Sequence, residues 1–122
     1  MINLSLLVVA HDSHSLTQLA SMLGQQFSTV LSAASLDQAN VVIHQQRPDF
    51  VVADLETLGT REISSLTRQL NLPVICTHRV PDEEMWMEAP QAGALDVCCD
   101  SDPASILLAV RRHFKDCHGA AA

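Results

Sequence analysis

Aromatic side chains are scarce in this sequence: Trp86 and three phenylalanines are the whole supply, and tyrosine is absent. Hydrophobic residues still make up 48% of the chain, so the core has to be built from Leu, Val, Ile and Ala. Basic residues are few as well. The 7 Lys and Arg stand against 14 Asp and Glu, for a formal charge of −7, and no basic cluster exceeds Arg111-Arg112. That balance disfavours non-specific binding to nucleic acid or to an anionic membrane. Long apolar runs are missing too. The stretch from Leu4 to Ala10 is far too short to span a bilayer, and no basic segment precedes it as in a signal peptide. A cytoplasmic location is expected. The cysteines, Cys76, Cys98, Cys99 and Cys117, include no Cys-x-x-Cys pair. They read as buried free thiols, since cysteine behaves as a small hydrophobe. A vicinal Cys98–Cys99 disulfide would strain the backbone, and a reducing compartment disfavours it.

At 122 residues the chain is sized for one domain, in which roughly two thirds of the unfolded surface can be buried. Continuous apolar runs lie at Leu4 to Ala10, Phe50 to Ala53, Val74 to Thr77 and Leu95 to Cys99, with a weaker one at Thr29 to Ala34. Continuous rather than alternating runs suit strands covered on both faces, as in a parallel sheet. Helical stripes separate them. Leu16, Leu19, Ala20, Leu23 and Phe27 share one; Leu36, Ala39 and Ile43 share the next, opened by a Ser35/Gln38 capping box. Ile63, Leu66 and Leu70 form a third, with Thr60 as its expected cap. Asp102 and Pro103 open the last helix as cap and first-turn proline, ahead of Leu107, Val110 and Phe114. The fourth segment, with Met85, Ala89 and Ala92 on one face, contains Pro90, which predicts a short, kinked or split helix near Ala89.

Strand and helix thus alternate through the chain, which implies an α/β, doubly wound sheet with right-handed crossovers. Ligand sites in such sheets lie beyond the carboxyl ends of the strands. Those ends carry His11, Asp12, Asp54, Thr77, His78, Cys99 and Asp100. No repeat, linker or low-complexity tract is present. The expected organisation is one domain over residues 1–115 followed by a flexible tail over 116–122.

Four stretches in order carry a family resemblance: "LSLLVVAHD", "RPDFVVADLE", "LPVICTH" and "AGALDVCCDSD". Over about residues 3 to 114 the chain resembles the receiver domain of bacterial two-component response regulators, the CheY-like kind. The resemblance implies a flavodoxin-like three-layer sandwich of five parallel strands in order 2-1-3-4-5. It places Asp54 at the phosphoacceptor position and Thr77 at the phosphate-contacting hydroxyl. It also shows departures. The acid pair that holds Mg²⁺ in the family falls on Ala10 and His11, with Asp12 one place late. The phosphate-binding lysine falls on Asp100, the proline after it on Ser101, and the switch aromatic on Val97.

Those departures change the chemistry. Mg²⁺ wants hard oxygen ligands in near-octahedral geometry. Alanine offers none, and imidazole suits Zn, Cu, Fe or Ni better. An aspartate at the lysine position would repel a phosphoryl group; two unit charges 4 Å apart interact by about 4 kcal/mol at an effective dielectric of roughly 20. Magnesium binding and phosphorylation are therefore expected to be weak or absent, and no cofactor is expected. The resulting expectation is a non-enzymatic signalling module of a phosphorelay, a pseudo-receiver acting through protein contacts. Its partners would be a histidine kinase, a downstream effector or a second copy, with Trp86 and Met87 as candidates for the interaction face. Nucleic acid and membrane are not expected partners. Two alternatives stay open: a metal- or redox-responsive sensor built on His11, Asp54 and Asp100, with Asp12 adjacent, and a conventional phosphorylated regulator. A flavodoxin-like enzyme lacks support, because "HDSHSL" holds no Gly-rich phosphate cradle.

Overall fold

The computed structural model describes residues 2–79, 83, 87, 90–99 and 102–118, the side chains of 2 and 114–118 excepted. Its elements run β1 (Ile2–Val9), α1 (Ser13–Gly24), β2 (Phe27–Ala33), α2 (Leu36–Gln45), β3 (Phe50–Asp54), α3 (Leu55–Leu70), β4 (Val74–His78), β5 (Asp96–Cys99) and α4 (Pro103–His118). The five strands form one sheet in the order β2-β1-β3-β4-β5, as expected. Every pairing is parallel. The order turns back at β1, so the crossover helices fall on both faces, and the carboxyl ends of β1 and β3 lie side by side at the switch point.

The continuous apolar runs explain why the central strands are buried on both sides. Leu7, Val9, Val51, Ala53, Val74 and Cys76 pack with Ala39 of α2 and with Leu55, Leu58, Ile63, Leu66 and Leu70 of α3. Leu6, Val8, Phe50, Val52, Ile75 and Cys98 face the other way, onto Leu19 and Leu23 of α1 and Ile106, Ala109 and Val110 of α4. Fully burying one such Leu, Val or Phe side chain is worth about 1.5–3 kcal/mol. Small aliphatic side chains thus fill two thin layers, and among the described side chains the fully buried aromatics are Phe27 and Phe50.

Helix starts follow local chemistry. Asp12 caps α1, accepting from Ser15 N at 3.1 Å and Ser15 Oγ at 2.9 Å. Ser35 caps α2 through Gln38 N at 3.2 Å. The reciprocal bond of that box is displaced by one residue: Gln38 Oε1 accepts from Ala34 N at 2.8 Å. Asp102 caps α4, with Oδ1 accepting from Ala104 N and Ser105 N at 3.1 and 3.3 Å.

Some expectations need correcting. Phe27 opens β2 rather than extending the first helical stripe. It still packs beside Leu19 and Leu23, so the same apolar layer is filled from a strand. α3 begins at Leu55 with Asp54 as its cap, not at Thr60. Gly59, at φ 79 and ψ 163, breaks it into a first turn and a main body. That backbone region is essentially open only to glycine, and Thr60 opens the second piece. The break expected near Ala89 falls outside the described residues, while Pro90 and Gln91 are helical. α4 spans Pro103–His118, and 119–122 lie outside the described residues.

The turn before β5 is locked to α3. Gly93 sits at φ +102, and a Cβ there would stand 2.6 Å from Thr67 Oγ1 and 2.9 Å from Thr67 Cβ. The Thr67 hydroxyl lies 2.8 Å from the Ala92 carbonyl oxygen. Glycine is required at this position for both φ and clearance.

Candidate functional site

Asp54 ends β3 and Thr77 lies beside it on β4 as its register partner. Residues paired across neighbouring strands present their side chains to the same face. Alternation from Val52 and Ile75 puts both on the α1/α4 side. Asp54 is 1% exposed and Thr77 fully buried. The Asp54 carboxylate does local structural work, since Oδ1 accepts from Glu56 N at 3.2 Å and caps α3. Thr77 differs: its Oγ1 is buried, with no hydrogen-bond partner among the described residues. A buried hydroxyl left unsatisfied costs about 1–3 kcal/mol.

Cys98 continues the row, in register with Thr77 on β5. Its Sγ lies 3.5 Å from the Ser105 carbonyl oxygen. Burial pushes the Cys98 thiol up to about 11. Burial likewise pushes Cys76 up to about 12, with Cys98 and Asp54 adding to it. The thiolate is the reactive species, so both stay inert thiols at neutral pH. Thiol-based sensing gains nothing from this pair.

His11 lies apart from the Asp54–Thr77 pair in its bonding. Its Nε2 lies 2.7 Å from both Glu62 carboxylate oxygens, its Nδ1 3.0 Å from the Ala34 carbonyl, and its backbone N–H donates to Thr57 Oγ1 at 3.1 Å. Both ring nitrogens face acceptors, which favours the doubly protonated imidazolium. The Glu62 hydrogen bond, followed by that to Ala34, raises its pKa above the ordinary 6.5. Asp12 is spent on its cap, and the hydrogen bonds from Ser15 hold its carboxyl below the usual range. Glu62 escaped the sequence reading because 51 residues separate it from His11.

A second ion pair crosses the rim. Arg79 Nη2 lies 2.7 Å from Glu56 Oε1. Each partner stands two residues beyond the paired Asp54 and Thr77. Arg112 is engaged elsewhere, 3.4 Å from Asp96 Oδ2.

The remaining sequence candidates divide. Asp100, Ser101 and Trp86 lie outside the described residues. Met87 is 67% exposed and Val97 is buried, in register with Cys76 on the α2/α3 face. Among the described residues no group of three or more His, Cys, Asp or Glu could hold a metal ion. Magnesium, which the resemblance implies, does not match the donors here. Ala10 carries only a methyl group, and the His11 ring is committed to Glu62 and Ala34.

Comparison with known structures settles the architecture. The chain has the receiver-domain fold. NtrX from Brucella abortus in complex with ADP superimposes with a TM-score of 0.77 at 20% identity, over 94% of this chain and 27% of that one. This chain therefore spans about a quarter of that protein. The chemotaxis protein CheY4 of Vibrio cholerae gives 0.73 at 17% identity, over 90% of this chain and 98% of that one. The BeF3-activated N-terminal receiver domain of RstA from Klebsiella pneumoniae gives 0.68 at 24% identity, over 88% and 95%. No family model matches the sequence, and no curated protein does either. Asp54 ends β3 at the carboxyl edge of the sheet, next to the β1/β3 switch point where open α/β sheets bind ligands.

Proposed function

We propose that this chain is an atypical receiver, a signalling module that works through protein contacts and performs no catalysis of its own. Asp54 stands at the phosphoacceptor position and Thr77 at the phosphate-contacting position, with phosphorylation weak or absent. The observation that carries the reading is the mixed state of the strand ends. Asp54 and Thr77 sit side by side, while Ala10 and His11 offer no side-chain oxygen for a divalent ion. Phosphoryl transfer depends on positioning and charge neutralisation. Positioning is supported here, and neutralisation by a bound divalent ion is not. In the sequence, Asp100 at the lysine position adds a further negative charge.

Partners of this reading are a histidine kinase or an effector protein in the cytoplasm, with self-association as a further route. No helix among the described residues is long and apolar enough to cross a membrane. Two large apolar side chains, Met87 and Leu108, are 67% and 59% exposed. Met87 in the segment before β5, where Trp86 also falls in sequence, and Leu108 on α4 support contacts at those two places.

Intact-protein mass spectrometry after incubation with acetyl phosphate and magnesium chloride tests the reading. Little or no gain of a phosphoryl group is expected, and magnesium alone should leave the melting temperature unchanged. Near-complete labelling that vanishes in Asp54→Asn would instead make this a conventional phosphorylated regulator.

A further inference from the structure

We propose that Arg79 is the counter-charge of the Asp54 site and that Glu56 holds it in reserve, so that an anion added at Asp54 draws Arg79 away from Glu56. The inference rests on the reading of Asp54 as a receiver-type acceptor.

The geometry is a short circuit around one corner of the sheet. Asp54 and Thr77 are register partners. Two residues further on, Glu56 and Arg79 are joined at 2.7 Å. The ion pair therefore straps the turn after β3 to the end of β4, directly beyond the acceptor position. Glu56 is tied to Asp54 a second time, because its N–H donates to Asp54 Oδ1. Arg79 hangs on a side chain that is 75% exposed, and an exposed ion pair holds its partners weakly and is screened by salt. A guanidinium can bind phosphate oxygens in a bidentate fork. A phosphoryl group carries roughly 1.5 to 2 negative charges against one for a carboxylate, so it outcompetes Glu56 for Arg79.

Thr77 supplies the independent observation. Its hydroxyl is fully buried, has no partner among the described residues and shares the face of Asp54. A donor without an acceptor beside a carboxylate is suited to an oxygen that arrives with the ligand. Arginine above and hydroxyl below would then hold one anion from two sides. In the reaction itself an Asp54 carboxylate oxygen forms the new bond to the phosphorus of acetyl phosphate. The phosphorus–oxygen bond to the acetyl group breaks, and acetate leaves with the electron pair.

The experiment compares rates of acetyl phosphate labelling by intact-protein mass spectrometry in wild type, Glu56→Gln, Arg79→Ala and the double variant, each checked for its fold by circular dichroism. Glu56→Gln should label severalfold faster than wild type, and Arg79→Ala should abolish that gain in the double variant. Arg79→Lys in the Glu56→Gln background should restore part of it. Equal gain in Glu56→Gln and the double variant would overturn the proposal, since repulsion by Glu56 alone would explain it. No labelling in any variant would also overturn it, while leaving the reading of weak or absent phosphorylation intact. Label retained in Asp54→Asn would overturn the acceptor reading itself. Fast wild-type labelling would overturn weak phosphorylation, and the rate of Arg79→Ala would still decide the role of Arg79.

Discussion

Replacing Thr77 by valine should make the protein more stable. The Thr77 side chain is fully buried near the end of β4, and its Oγ1 has no partner among the described residues. Valine keeps the β-branched shape and its rotamer preference, exchanging the hydroxyl for a methyl group. An unsatisfied buried hydroxyl costs about 1–3 kcal/mol, and burying the methyl adds roughly 0.8 kcal/mol. Steric adjustment at the strand end offsets part of this, so a net gain of about 1–2 kcal/mol is expected. At roughly 2.1 cal/mol/K of unfolding entropy per residue, a domain of this length moves about 4 °C per kcal/mol. Thermal and urea unfolding should therefore show Tm higher by roughly 4–8 °C with an unchanged m-value. Thr77→Ser is the control. It keeps the hydroxyl and loses a buried methyl, and should cost about 0.5–1.5 kcal/mol. A valine variant that melts lower than wild type would refute the reasoning, because it would mean the hydroxyl already has an acceptor. A stabilising loss of a polar group is the pattern expected of a residue kept for binding rather than for folding.

Two glycines separate strain from collision. Gly59→Ala meets an open space at φ +79 and should cost only the backbone penalty, about 1–3 kcal/mol. Gly93→Ala adds a contact of 2.6 Å with Thr67 Oγ1 and should cost more, about 3–5 kcal/mol, in the same urea titration. The His11–Glu62 pair gives a pH dependence whose sign is fixed. The His11 pKa is raised above 6.5 by Glu62 and Ala34, so its stabilisation is complete below that value and is lost as pH rises through the folded pKa. Glu62→Gln should therefore lower Tm at about pH 5.5 and do so less at about pH 8. Equal effects at both would contradict the imidazolium.

Much of the fold was legible because its signals are local. The apolar runs of β1, β3 and β4 are long enough to demand cover on both faces, and Ser35 and Asp102 announce their helices with the side chains that cap them. Phe27 was misplaced for a related reason. A buried aromatic one turn beyond Leu23 fits a helical stripe and a strand start equally well, and only the turn at Gln25–Gln26 decides. The site was legible where it depends on strand ends and hidden where it depends on side chains reaching across loops. Asp54 and Thr77 follow from where two strands stop. Glu62 and Arg79 do not, because their pairing requires knowing how the first turns of α3 sit against the ends of β1 and β4.

Gly59 sets one turn at the rim of the sheet apart from the body of α3. The turn before it is moored to the core by Leu55 and Leu58. Its other two side chains reach opposite ways, Glu56 to Arg79 at the end of β4 and Thr57 to the backbone of His11 after β1. Beyond Gly59 the helical body is held in the same apolar layer by Ile63, Leu66 and Leu70, and Glu62 on that body reaches His11 from the other side of the break. The residue that follows β1 and Ala10 is thus clasped by both pieces of the helix, and a single turn of chain links it to the end of β4.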